Sequence, residues 1–451
     1  MKKLSILGST GSIGINTLQI VAQHPDRFQV VALGGGRNLK KMEEQILQFR
    51  PRLVSVMDAE SARLLRARID GKIPQILFGL EGLTAVAAQP DADMVVSALA
   101  GSIGLLPTFA AIRANKTLAI ANKEPLVMAG EILIRESSEK GTTILPIDSE
   151  HSAIFQSMAG HRKEDIKRII LTASGGPFLN LPLEELDRVT PDQALNHPQW
   201  KMGKKVTLDS ASLINKGLEV IEARWLFGVP ASRIEVHIHP QSVVHSMVEY
   251  IDGAVVAQLA IPDMRGPIAY ALSYPERLNL QLPPLDLFAI RNLTFSPVDQ
   301  ERFPALGLAY RALEAGGTLP AVMNSANEAA AEAFLKGLVG FRQIPRLIRE
   351  VMDSHRPVLK PTLEEILKAH EASMAKARSV LAGLDEAKAM ATWSMTAGGK
   401  PILTLTRLEW IRTYMLNHWY HHRGQLSVYI RELNVPVPAM YGPSADETSA
   451  E

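Results

Sequence analysis

The sequence predicts an α/β protein: an N-terminal parallel-sheet domain, a central α+β domain, a C-terminal helical bundle and an extra helical tail. Three observations carry that expectation. Short apolar runs alternate with longer helix-period segments through the first third, the pattern of a parallel sheet with helices on both faces. From about 165 to 275 the strands come closer together and include a hairpin centred on Asp252-Gly253, a strong turn dipeptide. From Pro304 to about Leu381 the chain is rich in Ala, Leu and Glu at helical spacing, as in a small bundle.

The elements follow in order. Candidate strands of the first sheet are 4–7, 28–33, 53–57, 94–99, 118–121 and 143–147, separated by helix-period segments such as 38–50 and 124–140. The carboxyl ends of such strands face the ligand. The central domain contributes strands 168–173 and 234–239 and the hairpin 244–250 with 254–260. Residues 276–303 hold Pro283, Pro284 and Pro297 without a clear period, which suits a linker. The expected division is 1–148, 149–275, the linker 276–303, the helical domain 304–383 and the tail 384–451.

The 451-residue chain is long enough for several cores, and its 46% hydrophobic and 21% charged content is that of a globular protein. Lys+Arg 48 against Asp+Glu 47 leaves a formal charge of +1, so no global field favours nucleic acid or an anionic membrane, and any anion site is local. With no cysteine there are no disulfides, thiolate ligands or cysteine nucleophile, which fits a reducing compartment. Met1-Lys2-Lys3 starts like a secretion signal, but Gly8-Ser9-Thr10-Gly11 breaks the apolar stretch, and no run is long enough for a membrane helix. The expectation is a cytoplasmic enzyme.

Gly8-Ser9-Thr10-Gly11-Ser12-Ile13-Gly14 follows the first strand and opens a helix, where backbone N–H groups can cradle a pyrophosphate. Its spacing is G-x-x-G-x-x-G, and a purely structural glycine turn fits it as well. The second strand ends in Gly34-Gly35-Gly36-Arg37-Asn38, with Arg37 where a dinucleotide fold would place a carboxylate for the ribose; this favours NADP over NAD.

Asp148 and Glu150 stand at the end of the last candidate strand, where period-two alternation sends both side chains to one side. Glu219, with Lys216 at i,i+3 on a helix face, offers a third carboxylate. Hard oxygen donors without thiols suit Mg²⁺ or Mn²⁺ better than zinc. From the residues alone, solvated carboxylates remain an equal reading. Ser174, Ser210, Ser212 and Asn196 are hydroxyl and amide donors that, gathered near one lysine, would hold a phosphate; singly, each suits a cap or turn. The run His197–Gly203, with an isolated Trp200, reads as a lid or as a small satellite core. His237, His239 and His245 are read as structural.

In order along residues 1 to about 381 stand the motifs Leu4–Gly14, Ala121-Asn-Lys-Glu-Pro-Leu-Val127, Leu145-Pro-Ile-Asp-Ser-Glu-His-Ser152, Ala173-Ser-Gly-Gly-Pro-Phe178, His197-Pro-Gln-Trp-Lys-Met-Gly203, Leu213-Ile-Asn-Lys-Gly-Leu-Glu219 and His239-Pro-Gln-Ser-Val-Val-His245. With these the chain closely resembles the 1-deoxy-D-xylulose 5-phosphate reductoisomerases. The resemblance implies a Rossmann-like NADPH domain, a homodimer and a divalent metal, Mg²⁺ or Mn²⁺ with Co²⁺ as an alternative. It implies that the substrate's carbon skeleton is rearranged and then reduced to 2-C-methyl-D-erythritol 4-phosphate for isoprenoid precursors. By resemblance, Thr10, Gly11, Ser12, Ile13, Gly36, Arg37, Asn38, Asn122, Glu124 and Gly203 contact NADPH. Asp148, Glu150 and Glu219 carry the metal. Ser174, Ser210, Asn215 and Lys216 hold the phosphate, Lys123, Ser149 and His197 face the sugar, and Trp200 with Met202 form the lid. Lys123, Glu150 and His197 are the catalytic candidates, the first two for moving protons.

From about Leu384 that resemblance stops. Thr392–Lys400, Leu416–Leu426 and Val435–Asp446 resemble the second half of a DinB-like bundle, a family with a three-histidine metal site. His418 and His422 lie i,i+4, suitable for two ligands, while the bundle's first half is not evident. A structural appendage is the preferred expectation for this tail.

Overall fold

The computed structural model describes residues 1–69, 74–200, 202–390, 392–397 and 400–406. The chain divides into two compact units, Met1–Ala377 and Arg378–Glu451.

In the first unit, seven strands run β1 (Lys2–Leu7), β2 (Phe28–Gly34), β3 (Leu53–Val56), β4 (Gln75–Phe78), β5 (Met94–Ser97), β6 (Thr117–Ile120) and β7 (Ile144–Pro146). They pair in the order β4-β3-β2-β1-β5-β6-β7, all parallel. Met94, Val96 and Ala119 pack into one hydrophobic cluster, Val95, Leu118 and Ile120 into another. Burial on both faces is why these strands are uninterrupted apolar runs rather than alternating ones. β4 was not anticipated: as an edge strand with both ends exposed, Gln75–Phe78 lacks that apolar run.

The strand order reverses between β1 and β5, so the crevice of the sheet opens there. Gly8 ends β1 at this point with φ +81°, and a Cβ on it would fall 2.2 Å from the Ala98 carbonyl oxygen at the end of β5. Both the left-handed backbone and the close approach exclude a side chain. Gly8→Ala is expected to destabilise the protein by about 2–4 kcal/mol, measurable as a lower midpoint in urea; an unchanged midpoint would contradict the packing described.

The second sheet contains β8 (Ile166–Ala173), β9 (Ile234–Ile238), β10 (Val244–Tyr250), β11 (Val255–Leu259) and β12 (Ser296–Pro297), ordered β11-β10-β8-β9-β12. β10 and β11 form the expected hairpin, with Gly253 at φ +87° and the Asp252 carboxylate accepting from Ala254 N–H at 2.9 Å. β8 and β9 are parallel neighbours, so the 60-residue stretch between them crosses over, and it carries most of the site. Within the expected linker, Ser296 and Pro297 pair with Ile238 and His237, a two-residue ladder too short to show a period.

Helices Pro304–Ala315, Leu319–Leu335, Gln343–Ser354 and Leu363–Met390 follow, as the Ala- and Leu-rich spacing predicts. Beyond them, Thr392–Ala397 and Lys400–Thr406 pair antiparallel where a helical tail was expected. The Thr and Leu alternation in Lys400–Thr406 is a strand pattern, and Gly398-Gly399 between the segments is hairpin sequence. His418 and His422 lie outside the described residues. Among the described residues no helix is long and apolar enough to cross a membrane.

Candidate active site

One cavity opens at the crevice between the two sheets. Its walls include Ser12 and Ile13 from the glycine-rich loop, Lys123, Asp148, Ser149 and Glu150 after β6 and β7, and Ser174 after β8. His197, Trp200, Met202, Gly203, Ser210, Asn215, Lys216 and Glu219 complete it from the crossover. Residues far apart in sequence thus meet at the carboxyl ends of the strands.

The carboxylates meet by a different route from the expected one. β7 ends at Pro146, Asp148 is the N-cap of the helix Ser149–Ser157, and Glu150 lies in that helix's first turn. The two therefore do not alternate along a strand. A strand-to-helix turn brings them together, and Asp148 makes no capping bond with its own side chain, which leaves it free to face the cavity. Glu219 comes from the buried helix Ile214–Phe227. One ligand atom each from Asp148, Glu150 and Glu219 lies within 4.8 Å of the others.

Two buried ammonium groups hold this cluster. Lys123 Nζ donates to Asp148 Oδ2 at 2.6 Å, Asn215 Oδ1 at 2.9 Å and Glu219 Oε1 at 3.2 Å. Lys216 Nζ donates to Glu150 Oε1 at 2.6 Å and Glu219 Oε2 at 2.5 Å, the latter across the expected i,i+3 spacing. Burial opposes charge on Lys123, but the neighbouring carboxylates, Asp148 foremost, outweigh it and hold its pKa well above the ordinary value. Burial likewise resists ionisation of Asp148, yet the Lys123 ammonium keeps its carboxyl well below the usual range. Three carboxylates against two ammoniums leave negative charge to spare, and all donors are hard oxygens. The residues present therefore fit a divalent Mg²⁺- or Mn²⁺-type cation.

Glu219 behaves differently: burial, then the charge of Glu150, pushes its pKa from 4.5 up to about 7 despite the two lysines. A carboxyl whose pKa rises on folding contributes stability below its ordinary pKa, and that contribution is lost as pH rises through the folded value. Metal-free protein is therefore expected to lose stability relative to its Glu219→Gln variant between pH about 4.5 and about 7. Urea unfolding in a chelator at both ends of that window reads the difference, and parallel curves would refute it.

Beneath the carboxylates lies a pair that the sequence reading missed. His151 Nε2 sits 2.9 Å from the Glu219 carbonyl oxygen and so carries the proton, which turns a bare Nδ1 toward Glu222 Oε2 at 3.3 Å. Both side chains are fully buried. Burial, then the charge of Asp148, raises the Glu222 pKa well above its ordinary value, and a protonated Glu222 complements the imidazole. The available signal was spacing: His151 and Glu222 each stand three residues beyond a carboxylate of the cluster.

In the crossover wall of the cavity, His197 Nδ1 accepts from the N–H groups of Gln199 at 3.1 Å and Trp200 at 2.9 Å. The ring proton is thereby placed on Nε2, which donates to Ser174 Oγ at 3.0 Å. Ser174 Oγ also accepts from Gly176 N–H at 3.2 Å, so its own proton remains to donate into the cavity. His245, expected to be structural, lines the cavity with its ring 6.3 Å from that of Trp200. It closes the His239–His245 motif, which was the clue. His239 is structural as expected, bonded to the Thr294 carbonyl and to the N–H groups of Val243 and Val244. Met264 and Ser242 are further wall residues that sequence reasoning did not single out.

The remaining dinucleotide candidates lie around the crevice. Thr10 and Gly11 complete the turn before the helix Ser12–Gln23, whose first turn has no acidic residue to compete with an anion. Gly36, Arg37 and Asn38 are exposed after β2, and the Asn38 side chain caps the next helix by accepting from Lys41 N–H at 3.1 Å. Asn122 and Glu124 are buried after β6, with Asn122 Oδ1 lacking a partner. Open helix N–H groups, an exposed Arg and an unpartnered amide oxygen suit a phosphorylated dinucleotide.

Fold and site together define an α/β oxidoreductase of the dinucleotide-binding type, with a carboxylate-lined pocket at its switch point. Residues 4–130 match the family model described as 1-deoxy-D-xylulose 5-phosphate reductoisomerase, 144–227 the C-terminal domain of that enzyme, and 259–376 the DXP reductoisomerase C-terminal domain. Over 381 residues the chain is 58% identical to the 1-deoxy-D-xylulose 5-phosphate reductoisomerase of Geobacter metallireducens, covering 84% of this chain and 99% of that one. The namesake from Geotalea uraniireducens is 57% identical, covering 86% and 100%. Among solved structures, the reductoisomerase from Zymomonas mobilis in complex with NADPH superposes with a TM-score of 0.79 at 41% identity, over 84% of this chain and 99% of that one. A reductoisomerase in complex with NADPH, fosmidomycin and magnesium gives 0.81 at 38% identity, over 86% and 99%. The chain belongs to the 1-deoxy-D-xylulose 5-phosphate reductoisomerase family. Separately, residues 332–451 match the DinB family model.

Proposed function

We propose that this protein converts 1-deoxy-D-xylulose 5-phosphate to 2-C-methyl-D-erythritol 4-phosphate, using NADPH and Mg²⁺ or Mn²⁺, with Co²⁺ as a substitute. The observation that carries the reading is the convergence of Asp148, Glu150 and Glu219 beside Lys216 and Ser174, in one cavity with the glycine-rich loop. When bound through those carboxylates, the metal supplies Lewis-acid polarisation of the substrate's carbonyl and hydroxyl oxygens. NADPH supplies the hydride and is held by Thr10, Gly11, Ser12, Ile13, Gly36, Arg37, Asn38, Asn122, Glu124 and Gly203.

The chain's own groups do the rest. Ser174, Ser210, Asn215 and Lys216 anchor the phosphate, with Ser174 presenting a free hydroxyl proton because His197 and Gly176 occupy its lone pairs. Lys123, Ser149 and His197 face the sugar. Lys123 and Glu150 are the groups placed to move protons. Trp200 and Met202 close over the pocket and exclude water. The phosphonate fosmidomycin is expected to occupy the same pocket.

Incubating the protein with substrate, NADPH and Mg²⁺ tests this: NADPH absorbance falls and the product has a branched skeleton. No metal-dependent oxidation would refute the reading, and an unbranched product would point to a simple dehydrogenase. We also place the enzyme in the cytoplasm as a homodimer, with domains at 1–148, 149–275 and 304–383 joined by 276–303. Residues 384–451 are read as an appendage without a catalytic role, so ending the chain after Gly383 is expected to leave turnover unchanged; a large loss would give the tail a part in the reaction.

A further inference from the structure

Lys205 touches neither the carboxylate cluster nor the phosphate donors, yet it sits where the lid meets the rest of the enzyme. Gly203, the last residue of the lid motif, is the N-cap of the helix Lys204–Ala211, and Lys205 lies in its first turn. Its Nζ donates to Asp209 Oδ2 at 2.6 Å and stands 3.6 Å from Glu124 Oε1. Glu124 Oε2 in turn accepts from Asn122 Nδ2 at 2.5 Å, and the same amide donates to the Gly101 carbonyl at 3.2 Å. Asn122 Oδ1 fills the space beside Gly104, where an added Cβ would fall 1.6 Å from it. On the other flank Asp209 Oδ1 accepts from Asn327 Nδ2 at 3.2 Å. The next residue, Glu328, accepts from Ser102 N–H at 2.9 Å and Ser102 Oγ at 3.1 Å.

These contacts close into a ring that runs from the loop after β5 through Asn122, Glu124, Lys205, Asp209 and the helix Leu319–Leu335, and back to Ser102. Lys205 is its cation, and among the described residues no other Lys or Arg pairs with Glu124, Asp209 or Glu328. The Glu124 and Asp209 side chains are 7% and 3% exposed, so neither finds a substitute in solvent. The link to Glu124 is the loosest in the ring, and Glu124 is the ring's carboxylate read as an NADPH contact.

We infer that Lys205 is a positioning residue that couples cofactor binding to lid closure: engagement of Glu124 by the dinucleotide takes away the ammonium's second carboxylate and leaves it on Asp209 alone, and so shifts the helix turn on which the lid is hinged. This rests on the reading of Asn122 and Glu124 as NADPH contacts. Coupling of this kind is reciprocal and appears as a ratio of affinities, which a merely structural lysine would not alter.

The test is calorimetric titration of fosmidomycin with Mg²⁺ into the full chain, with and without NADPH. In the wild type NADPH is expected to tighten fosmidomycin binding by about 5- to 150-fold. In Lys205→Met that ratio falls to within about twofold, binding without NADPH stays near wild type, and Lys205→Arg recovers part of the ratio. Should Lys205→Met fail to fold, the isosteric Asp209→Asn, which takes from the ammonium its tightest partner, is expected to lower the ratio likewise. A wild-type ratio retained in these variants, or a ratio of one in the wild type, overturns the inference while leaving the proposed activity intact. Failure of wild-type protein to bind NADPH at all overturns both.

Discussion

Asp148→Asn is expected to fold normally and to lose about 10³-fold or more in kcat, the several kcal/mol that a Lewis acid contributes to a polarised carbonyl. Folding should survive because the Asp148 side chain caps no helix and an amide oxygen can still accept from Lys123, now 2.6 Å away. What is lost is one of three negative charges facing the cation. NADPH affinity, which the proposed function assigns to the loop and to Asn122 and Glu124, should stay within about threefold, since well-separated sites rarely couple. Steady-state rates over a Mg²⁺ titration, with NADPH binding measured separately, check this. A rate within tenfold of wild type at moderate Mg²⁺ would remove Asp148 from the metal site.

Lys216→Met is expected to act twice, and the two effects separate. Its ammonium neutralises Glu150 and Glu219 and keeps a third N–H, which under the proposed function holds the substrate phosphate. Losing charge-assisted bonds to phosphate raises KM by about 10²-fold. Taking one of its two ammoniums from buried Glu219, and its lysine from half-buried Glu150, costs about 1–3 kcal/mol of stability in the absence of metal. Mg²⁺, which compensates those same carboxylates, should restore much of the stability but none of the KM. Urea unfolding with and without Mg²⁺, beside substrate saturation curves, distinguishes the outcomes. A stability loss that Mg²⁺ does not touch would mean that Glu150 and Glu219 do not share a cation.

The sequence reveals the sheet most clearly where both faces are buried, as in Met94–Ser97 and Thr117–Ile120, because continuous apolar character then survives in four residues. It hides Gln75–Phe78 at the sheet edge and the two-residue β12, where burial is partial and no period can form. Motif order finds nearly every wall residue of the site. It does not find the geometry: Lys123 reaches Asn215 and Glu219 across 92 and 96 residues, and only the fold brings those side chains together. Local reasoning also misassigned the Asp148 and Glu150 pair, because Pro146 ends the strand before alternation can apply. His151 and Glu222 escaped notice for a related reason, since a buried acid facing a buried imidazole looks in sequence like any two polar residues on amphipathic helices.

The turn from β7 into the helix Ser149–Ser157 has a further consequence, for how this gene can change. Pro146 ends a strand, Asp148 stands at the N-cap position with its carboxylate turned to the cavity, and Ser149 and Glu150 occupy the helix's first turn, so four structural and chemical duties fall within five consecutive codons. Inserting one residue there would rotate everything beyond it by about 100° around the helix axis, carrying Glu150 away from Lys216 and His151 away from the Glu219 carbonyl together. Substitutions in this segment can be compensated one at a time by neighbours, whereas a change of length cannot. Its spacing is therefore expected to stay fixed over descent even where the flanking residues drift.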